Sequence, residues 1–294
     1  MHLTDDELVE LLRSRLSQKK NTLTEVAMFR ELEAVSAKLK QSEQMKSHFL
    51  SNIRNEINNP VASVLGLSKA MLQGETLDRQ QLSRYAFLIH NEIFNLDFQM
   101  KNIFAAAEIE AGAMIPHPAF VDVARLLEEV NDALAFKIEK KRIDVDVDHR
   151  GKELMFCSDA YMIHLIALNL IANAIEFSLE GGRVEVVIFV SEEYLSLTIR
   201  DYGSGIDEKD HRKIFERFTQ LDQGSTKIHA GQGLGLSIAK EVAEAMGGNV
   251  TLASAVGDGS EFSVFIPALQ LLGYNSSDAS ENWNEFLFGN DVVL

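Results

Sequence analysis

The sequence predicts an α+β protein in two parts. A long helical hairpin, paired with a second copy as a dimeric four-helix bundle, precedes a two-layer α/β sandwich. Three observations carry this. Apolar residues recur at alternating steps of four and three over the first third of the chain. The four prolines, Pro60, Pro116, Pro118 and Pro267, leave that third nearly free of breakers. Beyond residue 120, helix-type and strand-type patterns alternate.

The first seam runs through Met28, Leu32, Val35, Leu39, Ser42, Lys46, Phe49 and Ile53, a heptad with two polar interruptions. The second runs through Leu82, Tyr85, Ile89, Ile93, Leu96, Met100, Ile103 and Ala107. Gln73–Asp78, with Gly74, reads as the turn between the two helices. One hairpin cannot bury both its faces, so a homodimer is the expected outcome. A coiled-coil spacer without chemistry would show the same periodicity, and periodicity by itself favours that plainer reading.

Ala113–Phe120, with two of the prolines, breaks the pattern and reads as a linker. After it Val123–Lys141 reads as a helix and Ile143–Asp148 as a half-exposed strand. Tyr161–Phe177 is an apolar helix, Val184–Val190 and Tyr194–Arg200 a strand pair. Leu234–Met246 is a helix opened by glycines, and Asn249–Ser254 with Glu261–Ile266 makes a closing strand pair. This order implies helices on one face of a mixed sheet. The expected divisions are residues 1–43, an N-terminal helical segment; 44–115, the hairpin; 116–267, the sandwich; and 268–294, a tail that is largely disordered or loosely docked.

The formal net charge of −16 is offset by no basic patch, which disfavours nucleic acid and anionic membrane as partners. The single Cys157 excludes an intrachain disulfide and fits a reducing compartment. No run of eighteen apolar residues occurs, and the start lacks a signal-peptide pattern, so the expectation is a cytoplasmic protein without direct membrane insertion.

Several short motifs follow one another in the second part. Asn169 and Asn173, within Leu168–Ser178, are four apart and share one helix face. Their side-chain carbonyls suit magnesium bridging phosphates; two polar residues over a buried surface would have the same spacing. Asp201-Tyr202-Gly203-Ser204-Gly205 offers a carboxylate acceptor beside glycines, although many turns look like it. Lys213–Phe218 reads as an amphipathic helix turn. Gly231-Gln232-Gly233-Leu234-Gly235-Leu236 supplies free backbone amides just before a helix.

Taken in order, these resemble the asparagine, first glycine, phenylalanine and second glycine boxes of histidine-kinase ATPase domains. The resemblance spans about Gln44 to Pro267. It implies ATP and magnesium as cofactors. Asn173 would be the metal ligand with Asn169 a possible second, and Asp201 would accept from the adenine amino group. Gly203 and Gly205 would let the backbone pass close to the base. Gly231, Gly233, Gly235 and Leu236 would lie along the phosphates, and Gln220–Ala230 would be a lid carrying a basic Lys227. Related gyrase-type and chaperone ATPases have a water-activating glutamate where Asn169 stands, so simple ATP hydrolysis is not expected. Many family members have lysine where Glu176 stands. A carboxylate there would repel triphosphate by about 1 kcal/mol, unless it faces solvent.

Lys46–Pro60 closely resembles the family's dimerisation and phosphoacceptor helix, but the acceptor position is Asn55. An amide nitrogen, delocalised into its carbonyl, is no useful nucleophile. Glu56, the family's general base, and Asn59 are retained. The resemblance implies a dimeric, ATP-binding regulator of a two-component pathway that does not autophosphorylate at the usual site. Its partners would be a response-regulator receiver domain or another histidine kinase. The alternatives are a response-regulator phosphatase using Glu56 and Asn59, a kinase with a displaced acceptor such as His48, and a scaffold that has lost nucleotide.

Overall fold

The computed structural model describes residues 36, 57–73, 78–151, 155–221 and 233–270. By packing the chain divides into residues 1–59 and 60–294. The first seam's residues, Met28 to Ile53, and the positions His48, Asn55, Glu56, Lys227 and Gly231 lie outside the described residues.

Residues 57–73 are helical and form α1. Helix α2, Arg79–Glu110, opens on a capping box: the Asp78 carboxylate accepts from the Gln81 amide at 2.7 Å, and the Gln81 side chain accepts from the Asp78 amide. Its buried residues are Asn91, Asn102, Ala105 and Ala106. The seam residues Leu82 and Ile93 are exposed instead, as are Val61, Leu65 and Leu72 on α1.

The sandwich follows: β1 (Ala119–Asp122), α3 (Val123–Lys141), β2 (Asp144–Gly151), β3 (Met155–Ser158), α4 (Ala160–Phe177), β4 (Arg183–Val190), β5 (Tyr194–Asp201), α5 (Gly235–Ala245), β6 (Asn249–Ala255) and β7 (Gly259–Pro267). The main sheet has the order β2-β4-β5-β7-β6, with β2 and β4 parallel and the other neighbours antiparallel. Two crossovers join parallel strands, β2 to β4 through α4 and β5 to β6 through α5, as the twist of strand and helix favours. All eight helix and strand readings beyond the linker are present, each shifted by no more than a few residues at its ends.

Two short strands were not expected. Phe120, read as linker, lies in β1, which pairs antiparallel with β3 (Phe120 opposite Cys157). Four-residue strands carry too few alternations for a period to register. The Lys213–Phe218 turn is a 3₁₀ turn, Lys213–Phe215, not an α-helical one. The tail's first residues are docked: Ala268 donates to the Glu193 carbonyl at 2.8 Å and Leu269 to that of Cys157 at 2.9 Å.

Alternation along the central strands decides what faces the helices. In β5 the buried row is Leu195, Leu197, Ile199 and Asp201, so the period of two delivers a carboxylate to the core face at the strand's end. Over that face lies α4, whose eighteen residues have a mean hydropathy of 1.5, enough by composition to cross a membrane. Two-thirds of it is buried by the surrounding protein, which makes it the central core helix of the sandwich.

Both ends of α4 are satisfied by side chains. Asp159 accepts from the Met162 amide at 2.9 Å. At the other end the Lys141 ammonium donates to the carbonyls of Ile175 at 3.2 Å, Ser178 at 3.1 Å and Glu176. A cation at a helix C-terminus complements its unpaired carbonyls and its dipole. Lys141→Met should therefore lower unfolding free energy by roughly 1.5–3 kcal/mol, seen as a reduced urea midpoint at unchanged slope. An unaltered midpoint would mean that water serves those carbonyls as well.

Candidate functional site

Asparagine is a poor resident of a buried helix unless its amide is fully paired. Asn169, 3% exposed, meets that condition through α2. Its Oδ1 accepts from Asn102 Nδ2 at 3.0 Å, and its Nδ2 donates to Asn102 Oδ1 at 2.7 Å and to the Leu165 carbonyl at 2.9 Å. The two amides form a closed reciprocal pair. Gly235, at the start of α5, closes on the same group: a Cβ there would stand 2.7 Å from Asn169 Oδ1. Asn169 thus ties α2 to α4, with Gly235 of α5 packed against its amide, and it also lines the cavity beside them.

Asn173, one turn on, is only half-buried and lines a cavity of 370 Å³. From α4 the cavity also takes Glu176 and Phe177, and from the β5 end Asp201, Ser204 and Gly205. Gly233, Gly235 and Leu236 supply the α5 side. The structure thus brings together eight of the ten nucleotide-site residues expected from sequence into or beside one cavity, Lys227 and Gly231 being outside the described residues.

Asp201 is 2% exposed and accepts from the Gly203 amide at 2.9 Å. Burial pushes its carboxyl above the usual range, and the amides of Gly203 and Ser260 partly oppose that. The neighbouring glycines have a packing role of their own. A Cβ on Gly203 would lie 2.1 Å from the Phe177 carbonyl oxygen. At Gly205, with φ of +65°, a Cβ would lie 1.8 Å from the Ala255 carbonyl oxygen. Their lack of side chains lets the strand end pass its own neighbours.

Sequence reasoning missed one whole wall. Asn95, Phe98, Gln99 and Asn102 of α2 line the cavity and, at steps of three and four, share one helix face. The seam through Met100 and Ile103 hid them, because polar residues off a heptad seam read as solvated surface. Arg217 chelates Glu241 of α5 (2.9 and 3.1 Å from Nε) and reaches Glu110 of α2 at 3.8 Å. That anchor fixes residues 213–219 against α5 and α2 at once. Asn59 is helical and exposed.

Residues 158–270 match the family described as histidine kinase-, DNA gyrase B- and HSP90-like ATPase. Sensor protein GacS of Pseudomonas syringae pv. syringae is 30% identical over 237 residues, covering 79% of this chain and 26% of that protein. The chain carries the core of a sensor histidine kinase. Hybrid signal transduction histidine kinase D of Dictyostelium discoideum is 28% identical over 242 residues, 81% of this chain and 16% of that protein. The histidine kinase core therefore spans about a quarter or less of these two relatives. Among solved structures, full-length ShkA in complex with AMPPNP superposes with a TM-score of 0.54 at 25% identity, covering 78% of this chain and 47% of that one. Acinetobacter baumannii AdeS shares the fold, with a TM-score of 0.50 at 20% identity over 74% of this chain and 98% of that one.

Two outcomes test the geometry of this histidine kinase core. Replacing Asn102 by leucine strands both polar atoms of Asn169 in the core and should cost about 1–3 kcal/mol. The double change with Asn169→Leu should recover part of that loss in a double-mutant cycle. Additive losses would mean that the amide pair has no coupling. The second outcome concerns Asp201. Its raised carboxyl pKa means that ionisation opposes folding, so this group favours the fold most at acid pH and progressively less as pH rises through the folded value. Asp201→Asn should leave Tm at neutral pH equal or higher and remove that acid-side slope; a lower Tm would show that the charge is needed for the fold itself.

Proposed function

We propose that this chain binds ATP with magnesium, dimerises through its helical hairpin, and regulates a two-component pathway without autophosphorylating at the usual position. The observation that carries the reading is a preserved nucleotide-type cavity in a chain whose acceptor position is Asn55. Asp201 offers a buried acceptor for an adenine amino group, and Asn173 an amide carbonyl for a metal already carried by the phosphates. The AMPPNP in the ShkA structure is in keeping with this. An amide is a weak ligand alone, so magnesium would be held chiefly through the triphosphate.

The exposed apolar side chains of Leu82 and Ile93 on α2, and of Val61, Leu65 and Leu72 on α1, support a homodimer, since they form the seam that a second hairpin would cover. A cytoplasmic location fits the burial of α4, the one apolar helix long enough to span a bilayer among the described residues. The partner would be a response-regulator receiver domain or another histidine kinase, met on the hairpin.

A second reading rests on Asn59, whose side chain is exposed on a helix. An amide can donate to and accept from one water and so orient it toward a phospho-aspartate. With Glu56 beside it, this would make the protein a response-regulator phosphatase. Displaced phosphorylation at His48 is the remaining alternative.

Incubation with labelled ATP decides among these. The native chain should take up little label, and Asn55→His should gain acid-labile label. Robust label in the native chain that is lost in His48→Ala would overturn the reading. Decay of a phosphorylated regulator that is faster with the native chain than with Asn59→Ala would establish the phosphatase. Ile93→Asp should shift the dimer to monomer in light scattering, because a charge in a bundle core is strongly disfavoured; a native monomer would refute the assembly.

A further inference from the structure

A triphosphate carries several negative charges, and the cavity that would hold it contains two carboxyl groups, Asp201 and Glu176. Glu176 is on α4, less than one turn beyond Asn173, on the side where metal and phosphates would lie. Among the described residues lining the cavity, the only cationic side chain is Lys137. It comes from α3, an element to which the sequence motifs assign no role in the site.

The surroundings of Lys137 set where its charge acts. Its ammonium lies 5.9 Å from the centroid of the Phe98 ring on α2. Phe98 is about one turn before Asn102 on the same α2 face, and Asn102 grips Asn169 of α4. Lys137 therefore stands beside the α4 line of Asn169, Asn173 and Glu176. Burial draws its pKa below the usual lysine range; the Glu176 charge opposes that, and the nearby Lys140 adds to it. An ammonium has three donors and no acceptor. Donors of that kind suit an anion entering the cavity.

We propose that Lys137 is a phosphate-binding residue of the nucleotide site, supplying from α3 the positive charge that Glu176 withholds from α4. The proposal rests on the ATP-binding reading above and names a ligand within that site. Glu176 then has a definite effect: in the empty site its charge favours the charged ammonium, and entering phosphate oxygens compete with it. The same pair makes the site sensitive to phosphate number, because adenosine gains nothing from Lys137, whereas ADP and ATP do.

Calorimetric titration of the full chain with adenosine, ADP and ATP, each with magnesium, tests this. Lys137→Met should weaken ATP roughly 10- to 100-fold while leaving adenosine within about twofold of native. Lys137→Arg should retain most ATP affinity, and Glu176→Gln should tighten ATP without changing adenosine. Adenosine binding also certifies that each variant keeps a folded pocket; Lys137→Gln replaces Lys137→Met should the latter not fold. ATP binding unchanged in Lys137→Met, or adenosine weakened as much as ATP, would overturn the proposal, the latter result assigning Lys137 to packing on Phe98. A native chain that binds neither adenosine nor ATP at millimolar concentration would instead overturn the nucleotide reading itself.

Discussion

Everything in the sandwich depends on burying α4. It is the most apolar of the described helices, and it is enclosed by the sheet face and by α3 and α5. The buried two-thirds of such a helix has little access to water, so each polar group there needs an assigned partner. Asp159 and Lys141 satisfy its ends. Its few polar side chains then cannot be scattered. Asn169, Asn173 and Glu176 fall on one line, and that line is the floor of the cavity. The position of the site is a consequence of where α4 can tolerate polarity.

The same constraint explains why α2 belongs to this unit. An unpaired amide at Asn169 would be expensive, and Asn102 removes the cost by a two-way hydrogen bond. Arg217 makes a second tie by pairing with Glu241 and reaching Glu110. These contacts join α2 to α4, to α5 and to Arg217. Any movement of α2 along α4 breaks the amide pair and alters the cavity wall at Asn95, Phe98 and Gln99 in one step. A partner acting on α2 and a ligand in the cavity would meet this one shared surface, and any influence between them would be reciprocal by linkage.

Elements with a full period were legible in the sequence, because repetition reveals a face. The alternation of β4 and β5 and the apolar run of α4 each mark what they pack against. Asp201 was legible as a motif member; its place as the last inward residue of β5 was not, because the strand was read as ending at Arg200. What stayed hidden had no repetition or drew its meaning from a distant segment. Strands β1 and β3 have four residues each and exist through one another. Asn102 looks like surface until Asn169, sixty-seven residues later, is laid against it. Lys137 looks like one of several basic residues closing α3, and only the cavity separates it from Lys140 and Lys141. The sequence also did not show that carbonyl oxygens of Phe177 and Ala255 occupy the space that side chains at Gly203 and Gly205 would need.

A chain of net charge −16 is an unexpected host for a polyanion, yet overall charge is the wrong scale on which to judge it. At physiological salt, charges farther than about 8 Å from a ligand are largely screened, so the groups lining the cavity decide. There the protein presents mainly neutral donors and acceptors, the amide of Asn173 and the glycine-bordered start of α5, which can approach phosphate without a charge of their own. Neutral donors of this kind hold phosphate weakly when a carboxylate stands beside them, and Glu176 stands there. One nearby cation shifts that balance, and its position off α4 matters. A lysine on α4 would place its charge on the floor of the cavity, fixed to the core. Lys137 is carried by α3 and rests on a ring of α2, so its reach into the cavity depends on where α2 lies. With Lys137 as a phosphate ligand, affinity for the phosphates would be tied to the position of α2, the element a regulatory partner would meet.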